Sequence, residues 1–345
     1  MLTSMQTQST FPFAHFGSAA LVHLTDTNIA FNSLNLANLM VLTIDNSRSS
    51  LPNLMNLISV LREAPALGSL TVTGRCMSDP AEELDILRND QVVPLQNLVK
   101  IDLRTEAVFV REFFSVVSVP ATSQIHLHVR KPAGSDEVDT GLNLEDAFPD
   151  ENRFHHLGCL KSTKILTLTL ESGAQPFLLC FDDVTSGSLC IYPALADITR
   201  DPTHWQVLID DCVDAIEHLA IKKGVVTLSL RDDPLGHLST LNLAFLFNSI
   251  PNLRILVVKA RHVDSVLDAL KLYSQGREVV VCPELVAIRF EDLTVDGDVV
   301  THIVECFETR RDSGSGVRVL DLSAAGGCEA EHLEILERAC QQVLV

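Results

Sequence analysis

The sequence predicts an α/β solenoid, with short parallel strands on one side and helices on the other, sharing one extended core. Three observations predict it. The pattern aliphatic-x-x-aliphatic-x-aliphatic recurs along the 345 residues. Its copies fall at near-constant intervals. The stretches between copies carry apolar residues at helical spacing.

In order, Leu21 and Leu24 begin a copy whose third apolar place is taken by Asp26. Leu39, Leu42 and Ile44 form the next, followed by Leu67, Leu70 and Val72, then Leu98, Ile101 and Leu103. Ile125 and Leu127 keep the last two places, with Thr122 where the first leucine belongs. Ile165, Leu168 and Leu170 resume the full form. Val225/Leu228/Leu230, Leu253/Leu256/Val258, Leu285/Ile288/Phe290 and Val317/Leu320/Leu322 complete the series. From Leu42 to Leu70 is 28 residues, from Leu228 to Leu256 again 28, and from Ile288 to Leu320 it is 32. A leucine-rich repeat has a period of roughly 20–29 residues. These copies lie at or just beyond the long end, which leaves room for a full helix after each strand.

The intervening segments fit helices. Leu51, Leu54, Leu57, Ile58 and Leu61 make one stripe, and Trp205, Leu208, Ile209, Cys212, Val213, Ile216 and Leu219 another. Val263, Val266, Leu267 and Leu270 repeat the spacing, as do Val299, Val300, Ile303, Val304 and Phe307. Pro52, Pro251 and Gly224 punctuate the turns. One strand–helix unit cannot bury its own apolar face, so neighbours must stack. The expected form is a horseshoe like that of ribonuclease inhibitor, with parallel strands inside and helices outside. An open α/β sheet also alternates strands and helices, but no G-x-G-x-x-G turn follows any strand. The minus-three leucine would also have no role in such a sheet.

Composition narrows the function. Hydrophobic residues make up 46% of the chain and aromatic ones 5%, so the core is aliphatic. A net charge of −19 repels phosphate backbones and argues against nucleic-acid binding. Nine cysteines without a C-x-x-C pair fit reduced, buried thiols and a cytoplasmic or nuclear location. The first 20 residues lack the basic and apolar regions of a signal peptide. No run of about 18 apolar residues predicts a membrane span.

Four regions follow: an N-terminal segment (1–20), regular repeats (21–130), irregular repeats with an acidic insertion (131–224), and regular repeats again (225–345). The insertion, 131–153, carries Asp136, Glu137, Asp139, Glu145, Asp146, Asp150 and Glu151 and is expected to be a solvated loop. In "FLLCFDDVTSGSLCIYPAL", Leu189 and Ile191 stand in for a degenerate copy.

No motif for catalysis is present: neither G-x-S-x-G, nor H-E-x-x-H, nor a phosphate-binding loop after "RRDSGSGVRV". His155, His156 and Cys159 are grouped but lack a second ligand pair for zinc. Asp210, Asp211, Asp214 and Glu217 read as a solvated helix face. The sequence therefore predicts no enzyme, no cofactor and no metal.

The candidate binding surface is the strand face. Strand side chains alternate, so residues between the core leucines point outward. These include Arg104, His126, His128, Arg231, Lys259, Arg289 and Glu291. Arg231, Lys259 and Arg289 reverse the local charge on consecutive repeats, as a site for an acidic or phosphorylated peptide would.

"GSAALVHLTDTNIAFNSLNLANLMVLTIDN", "LPNLMNLISVLREAPALGSLTVTG", "VPLQNLVKIDLR", "IPNLRILVV" and "GVRVLDLS" together resemble the repeat region of F-box/leucine-rich-repeat proteins, above all those of mushroom-forming fungi. The resemblance covers almost the whole chain. It implies a substrate receptor of a cullin–RING ubiquitin ligase, holding a protein target on its repeats and a Skp-type adaptor through an F-box. Two features depart from that family. No F-box pattern precedes Leu21, and the asparagine that usually follows the strand is replaced by Ser47, Arg75, Glu106, Asp233, Arg261, Leu293 and Ala325.

Overall fold

The computed structural model describes residues 3–6, 21–25, 36–50, 53–75, 92–130, 147–148, 156–160, 163–169, 178–181, 187–193, 210, 212–214, 216, 224–231, 239–272 and 280–345. It is a mixed α/β structure built on parallel strands, in two compact units. Unit 1 comprises residues 1–162 and 181–194, and unit 2 comprises 163–180 and 195–345.

Unit 1 begins with β1 (Thr3–Gln6), β2 (Leu21–Thr25) and β3 (Val41–Ser50). Helix α1 (Leu54–Arg62) leads to β4 (Ser69–Arg75). Then come β5 (Val93–Pro94), β6 (Lys100–Glu106), helix α2 (Ala107–Val116), β7 (Val117–Ser118) and β8 (Gln124–Arg130). The chain next forms β9 (Ile165–Thr169) in unit 2 and β10 (Leu178–Phe181) at the division between units. It returns to unit 1 as β11 (Ser188–Pro193), which pairs in parallel with β8. The unit 1 sheet therefore runs β1-β2-β3-β4-β6-β8-β11, while β5 and β7 pair separately.

In unit 2, β12 (Thr227–Arg231) pairs with β9 and is followed by α3 (Thr240–Ser249), β13 (Ile255–Lys259) and α4 (Asp264–Lys271). The rest is β14 (Ala287–Thr294), α5 (Gly297–Asp312), β15 (Val319–Gly326), α6 (Ala330–Ala339) and β16 (Gln342–Leu344). Each strand from β12 to β16 lies parallel to the next.

Register follows the leucine pattern. Leu42, Leu70, Ile101, Ile125 and Leu189 are consecutive partners in unit 1. Leu166, Leu228, Leu256, Ile288 and Leu320 are consecutive partners in unit 2. All of these side chains are buried. Each buried aliphatic side chain contributes about 1.5–3 kcal/mol relative to exposure, so the rows are the main source of cohesion within each unit.

The minus-three leucines have a specific place. Leu39, Leu67, Leu98, Leu253 and Leu285 are buried, and the N–H of each donates to the carbonyl three residues earlier, on Leu36, Ala64, Leu95, Ile250 and Cys282. Each leucine closes a four-residue turn just before a strand and inserts beneath it. The strand start then carries a second device. Two successive N–H groups converge on one carbonyl of the preceding strand's lead-in. Gly68 and Ser69 donate to Met40, Val99 and Lys100 to Gly68, and Val226 and Thr227 to Lys164. Arg254 and Ile255 donate to Val226, Val286 and Ala287 to Arg254, Arg318 and Val319 to Val286, and Gln341 and Gln342 to Arg318, all at 2.8–3.1 Å. Positions after the strand that lack asparagine thus coexist with a main-chain ladder before it.

Three sequence expectations are corrected. In β2, Val22 pairs with Leu42 and Leu24 with Ile44, and Leu21 is only half-buried, so the core positions are Val22 and Leu24 rather than Leu21 and Leu24. In β9, Leu166 pairs with Leu228, so Ile165 is not the leading residue. Buried Thr163 occupies the minus-three place, and Leu170 lies outside the described residues. Before β8, Thr122 is exposed and Ser123 is buried, its hydroxyl donating to the Leu98 carbonyl at 2.6 Å. A leucine is replaced there by a satisfied polar residue one position later.

The helices form where predicted within the described residues. In α1, Leu54, Leu57, Ile58 and Leu61 are buried, and the Asn53 side chain caps the helix by accepting from the Met55 amide at 2.7 Å. In α4, Val266, Leu267 and Leu270 are buried. In α5, Val300, Ile303 and Phe307 are buried, and the Asp296 carboxylate accepts from the amides of Asp298 and Val299. The stripe from Trp205 to Leu219 lies mostly outside the described residues, as do the side chains of Asp211 and Glu217; Asp210 and Asp214 are exposed. The acidic insertion lies outside them as well, apart from buried Ala147 and Phe148.

One core residue is unexpected. Arg310 of α5 is fully buried and donates to the carbonyls of Leu270, Val281 and Cys282 at 2.7–2.9 Å. It ties the end of α4 and the turn before β14 to α5. Burial lowers its pKa, but the three carbonyl dipoles offset part of the lost hydration.

Candidate functional site

The register sorts the strand-face residues of unit 1 into two rows. His23, Thr43, Thr71, Asp102, His126 and Cys190 are consecutive partners, and Thr25, Asp45, Thr73, Arg104, His128 and Tyr192 form the row beside them. Alternation places both rows opposite the buried leucines.

At β6, β8 and β11 these rows form a connected cluster. Arg104 makes a two-point contact with Asp102, Nε to Oδ1 at 3.0 Å and Nη2 to Oδ2 at 3.1 Å. His128 Nε2 lies 3.8 Å from the same Oδ1. The His128 ring stacks on Tyr192 with centroids 4.2 Å apart and planes within 7°. His126 stacks more loosely on the same tyrosine at 5.8 Å, and its Nδ1 is 3.2 Å from the Tyr192 hydroxyl. The sequence-predicted residues Arg104, His126 and His128 are therefore brought together. Asp102 and Tyr192 complete the group. Tyr192 was not among the predicted binding residues, because only the return of β11 beside β8 delivers it.

The electrostatics fit a prearranged surface. The hydrogen bonds that Arg104 donates to Asp102 raise its pKa, and burial opposes this only in part. Burial lowers the His126 pKa, with Lys100 nearby acting in the same direction, so the imidazole is neutral at pH 7. Burial raises that of Tyr192, which keeps its phenol protonated. A neutral imidazole and a protonated phenol at 3.2 Å form an ordinary hydrogen bond. The Arg104 side chain remains 46% exposed while the Asp102 side chain is 10% exposed, so the guanidinium edge is available and its carboxylate anchor is not.

Unit 2 presents the other predicted residues differently. Ser229, Val257, Arg289 and Asp321 share one row, and Arg231, Lys259 and Glu291 share the next. Arg289 Nε lies 3.1 Å from Glu291 Oε1 and 3.9 Å from Asp321 Oδ2. Lys259 Nζ lies 3.5 Å from Asp292 Oδ2. Arg231 is exposed. Two of the three basic residues are thus matched by carboxylates on their own unit. Asp321 is partly buried, which opposes ionisation, yet the hydroxyl and amide of Ser323 at 2.6 and 3.0 Å, with Arg289, hold it below the usual carboxylate range.

The grouped residues His156 and Cys159 have structural roles. His156 Nδ1 faces the Phe114 carbonyl at 3.0 Å, and its own carbonyl accepts from the Val119 amide; His155 lies outside the described residues. Burial pushes the thiols of Cys159, Cys282 and Cys306 up to about 12, so they stay protonated and unreactive. Among the described residues, no cluster of three or more His, Cys, Asp or Glu side chains is arranged to hold a metal ion, and no helix is long and apolar enough to cross a membrane. Compared with family models and with curated proteins, the chain matches none.

Proposed function

We propose that this chain is a leucine-rich-repeat recognition protein whose strand face holds a segment of another protein, without catalysis. The observation that carries this reading is the Asp102–Arg104–His126–His128–Tyr192 cluster. It combines a stacked aromatic platform, a partly exposed guanidinium and imidazole edges, all fixed on adjacent strands. Aromatic and arginine side chains held rigidly in this way are the groups that dominate protein interfaces. The long repeat period, the leucine-closed turns and the forked carbonyl ladder support a repeat solenoid as the scaffold. The resemblance to F-box repeat regions makes delivery of a bound protein to ubiquitination the cellular role we favour.

Photocrosslinking tests the recognition surface. A photoreactive residue at Thr71, on the strand face, is expected to capture a discrete partner. The same residue at exposed Ser59 on α1 is not. Arg104→Ala combined with His128→Ala should abolish capture at Thr71. Because it also strips the partners from the mostly buried Asp102, a loss of about 1–3 kcal/mol is expected, with circular dichroism showing the fold retained. Capture that is equal from both positions, or indifferent to the double substitution, would overturn the reading. Co-purification of the chain with a Skp-type adaptor tests the ubiquitin role separately.

A further inference from the structure

A second polar feature lies in unit 2, away from the strand face. The turns before β14 and β15 and the last turns of α5 and α6 enclose an open cleft of about 570 Å³. That volume falls within the roughly 300–1,000 Å³ of small-ligand sites. Arg311, Arg318 and Arg338 all line it, with Glu284 as the acidic residue of the lining.

Three arginines in one cleft are unusual for a chain with 45 acidic and 26 basic side chains. Several other cations of unit 2 are matched by carboxylates: Lys259 with Asp292, Lys271 with Asp268 and Glu305, and Arg289 with Glu291 and Asp321. In the cleft, Arg311 reaches Glu308 at only 3.5 Å on the surface, and neither Arg318 nor Arg338 forms an ion pair among the described residues. Helix dipoles account for part of this, because Arg311 and Arg338 occupy the last turns of α5 and α6, where cations are favoured. They do not account for Arg318, which belongs to neither helix. Its backbone is held rigidly, since it donates to Val286 and its carbonyl receives both Gln341 and Gln342. Gly314, at φ +79, completes the turn and leaves its side of the cleft open.

We propose that this cleft binds a phosphate monoester. A single carboxylate satisfies one guanidinium, whereas a phosphate presents a near-dianion and three acceptor oxygens to several. The ester is carried either on a serine or threonine of a partner protein or on a free small molecule. The ligand chemistry is the same in both cases, and the test separates them.

The test is calorimetric titration of the full chain at low salt with four probes: a phosphoserine peptide with glycine and alanine flanks, its unphosphorylated form, free O-phosphoserine, and inorganic phosphate. The phosphorylated probes are expected to bind and the unphosphorylated peptide not to. Arg318→Gln with Arg338→Gln should weaken binding at least roughly tenfold, as loss of two charge-assisted contacts implies, with the melting temperature unchanged. Should the double variant fail to fold, Arg338→Gln alone, at an exposed position near the end of α6, reads a smaller loss in the same direction. A peptide that binds at least tenfold tighter than O-phosphoserine assigns the site to a partner protein. Equal affinities assign it to a free phosphate ester. No binding at millimolar concentration, or binding indifferent to the substitutions, overturns the proposal.

Discussion

The two strand faces share a register but not a chemistry. In unit 1, the positions flanking the core leucines gather Asp102, Arg104, His126, His128 and Tyr192 into one stacked, hydrogen-bonded cluster. In unit 2, the equivalent positions hold Arg231, Lys259, Arg289 and Glu291, and the charges of Lys259 and Arg289 are met by neighbouring carboxylates. The difference separates two roles that these strands combine. The leucines fix where a side chain stands, and the residues between them decide whether that place is sticky or neutral. Among the described residues, the unit 1 face joins aromatic area to an exposed guanidinium edge and the unit 2 face does not.

The strongest way to break the comparison is to remove what the units share. Leu256→Asp buries an unpaired charge in the leucine row, and a loss above about 4 kcal/mol is expected. Chemical denaturation should show unit 2 unfolded or nearly so, and an unchanged midpoint would refute the buried row. Gly187→Ala attacks unit 1 at the lead-in to β11. A Cβ there would collide with the Ala121 carbonyl and come within 2.6 Å of that of Ser123. Moving backbone to relieve this should cost roughly 2–3 kcal/mol, within the range for overpacking, and should displace Tyr192 from its histidines.

Smaller changes sharpen the contrast. Tyr192→Leu keeps apolar bulk and removes the stack, so a loss of about 0.5–1.5 kcal/mol is expected. Partner capture through the strand face should fall far more than stability does. His126 gives a pH signature. Its folded pKa is lowered from the ordinary 6.5 by burial, so the unfolded chain takes up the proton first as pH falls. This residue's contribution to stability is therefore intact above about pH 6.5 and declines below it, until the folded pKa is passed. His126→Gln should flatten that part of the stability profile. The smallest effect belongs to unit 2: Arg231→Ala, at an exposed position, should change stability by no more than about 0.5 kcal/mol.

Much of the fold was legible because the leucine spacing is a local signal. The Leu39, Leu67, Leu98, Leu253 and Leu285 turns needed no long-range knowledge to find. Register failed where the local text permits two solutions. In "STKILTLTL", Ile165-x-x-Leu168-x-Leu170 fills all three places of the pattern, whereas Thr163-x-x-Leu166-x-Leu168 fills only the last two. Pairing with β12 selects the second, with Thr163 buried at the place where leucine was sought. In "AALVHLTD", Leu21-x-x-Leu24 competes with Val22-x-Leu24, and pairing with β3 selects the second. Before β8, Ser123 answers a packing need by hydrogen bonding rather than by apolar bulk, and no apolar pattern reports that. The site was half legible. Alternation alone exposes His126, His128 and Arg104, whereas the Tyr192 contact spans 66 residues and depends on the chain leaving unit 1 and returning to it. Arg310 was illegible for a related reason: its carbonyl partners lie 28 to 40 residues away, and nothing in its neighbourhood distinguishes it from adjacent Arg311.

The forked carbonyls impose a grammar on proline. Both residues at each fork must supply an N–H, which proline lacks. Gly68 and Ser69, Val226 and Thr227, Arg254 and Ile255, Val286 and Ala287, and Arg318 and Val319 are accordingly pairs where any residue but proline serves. A few positions earlier, the four-residue turn welcomes proline at its second place, and Pro65, Pro251 and Pro283 stand there. Side-chain identity at the fork is otherwise unconstrained, so the chain is free to place an exposed Arg254 or Arg318 on this rim without disturbing the strand behind it.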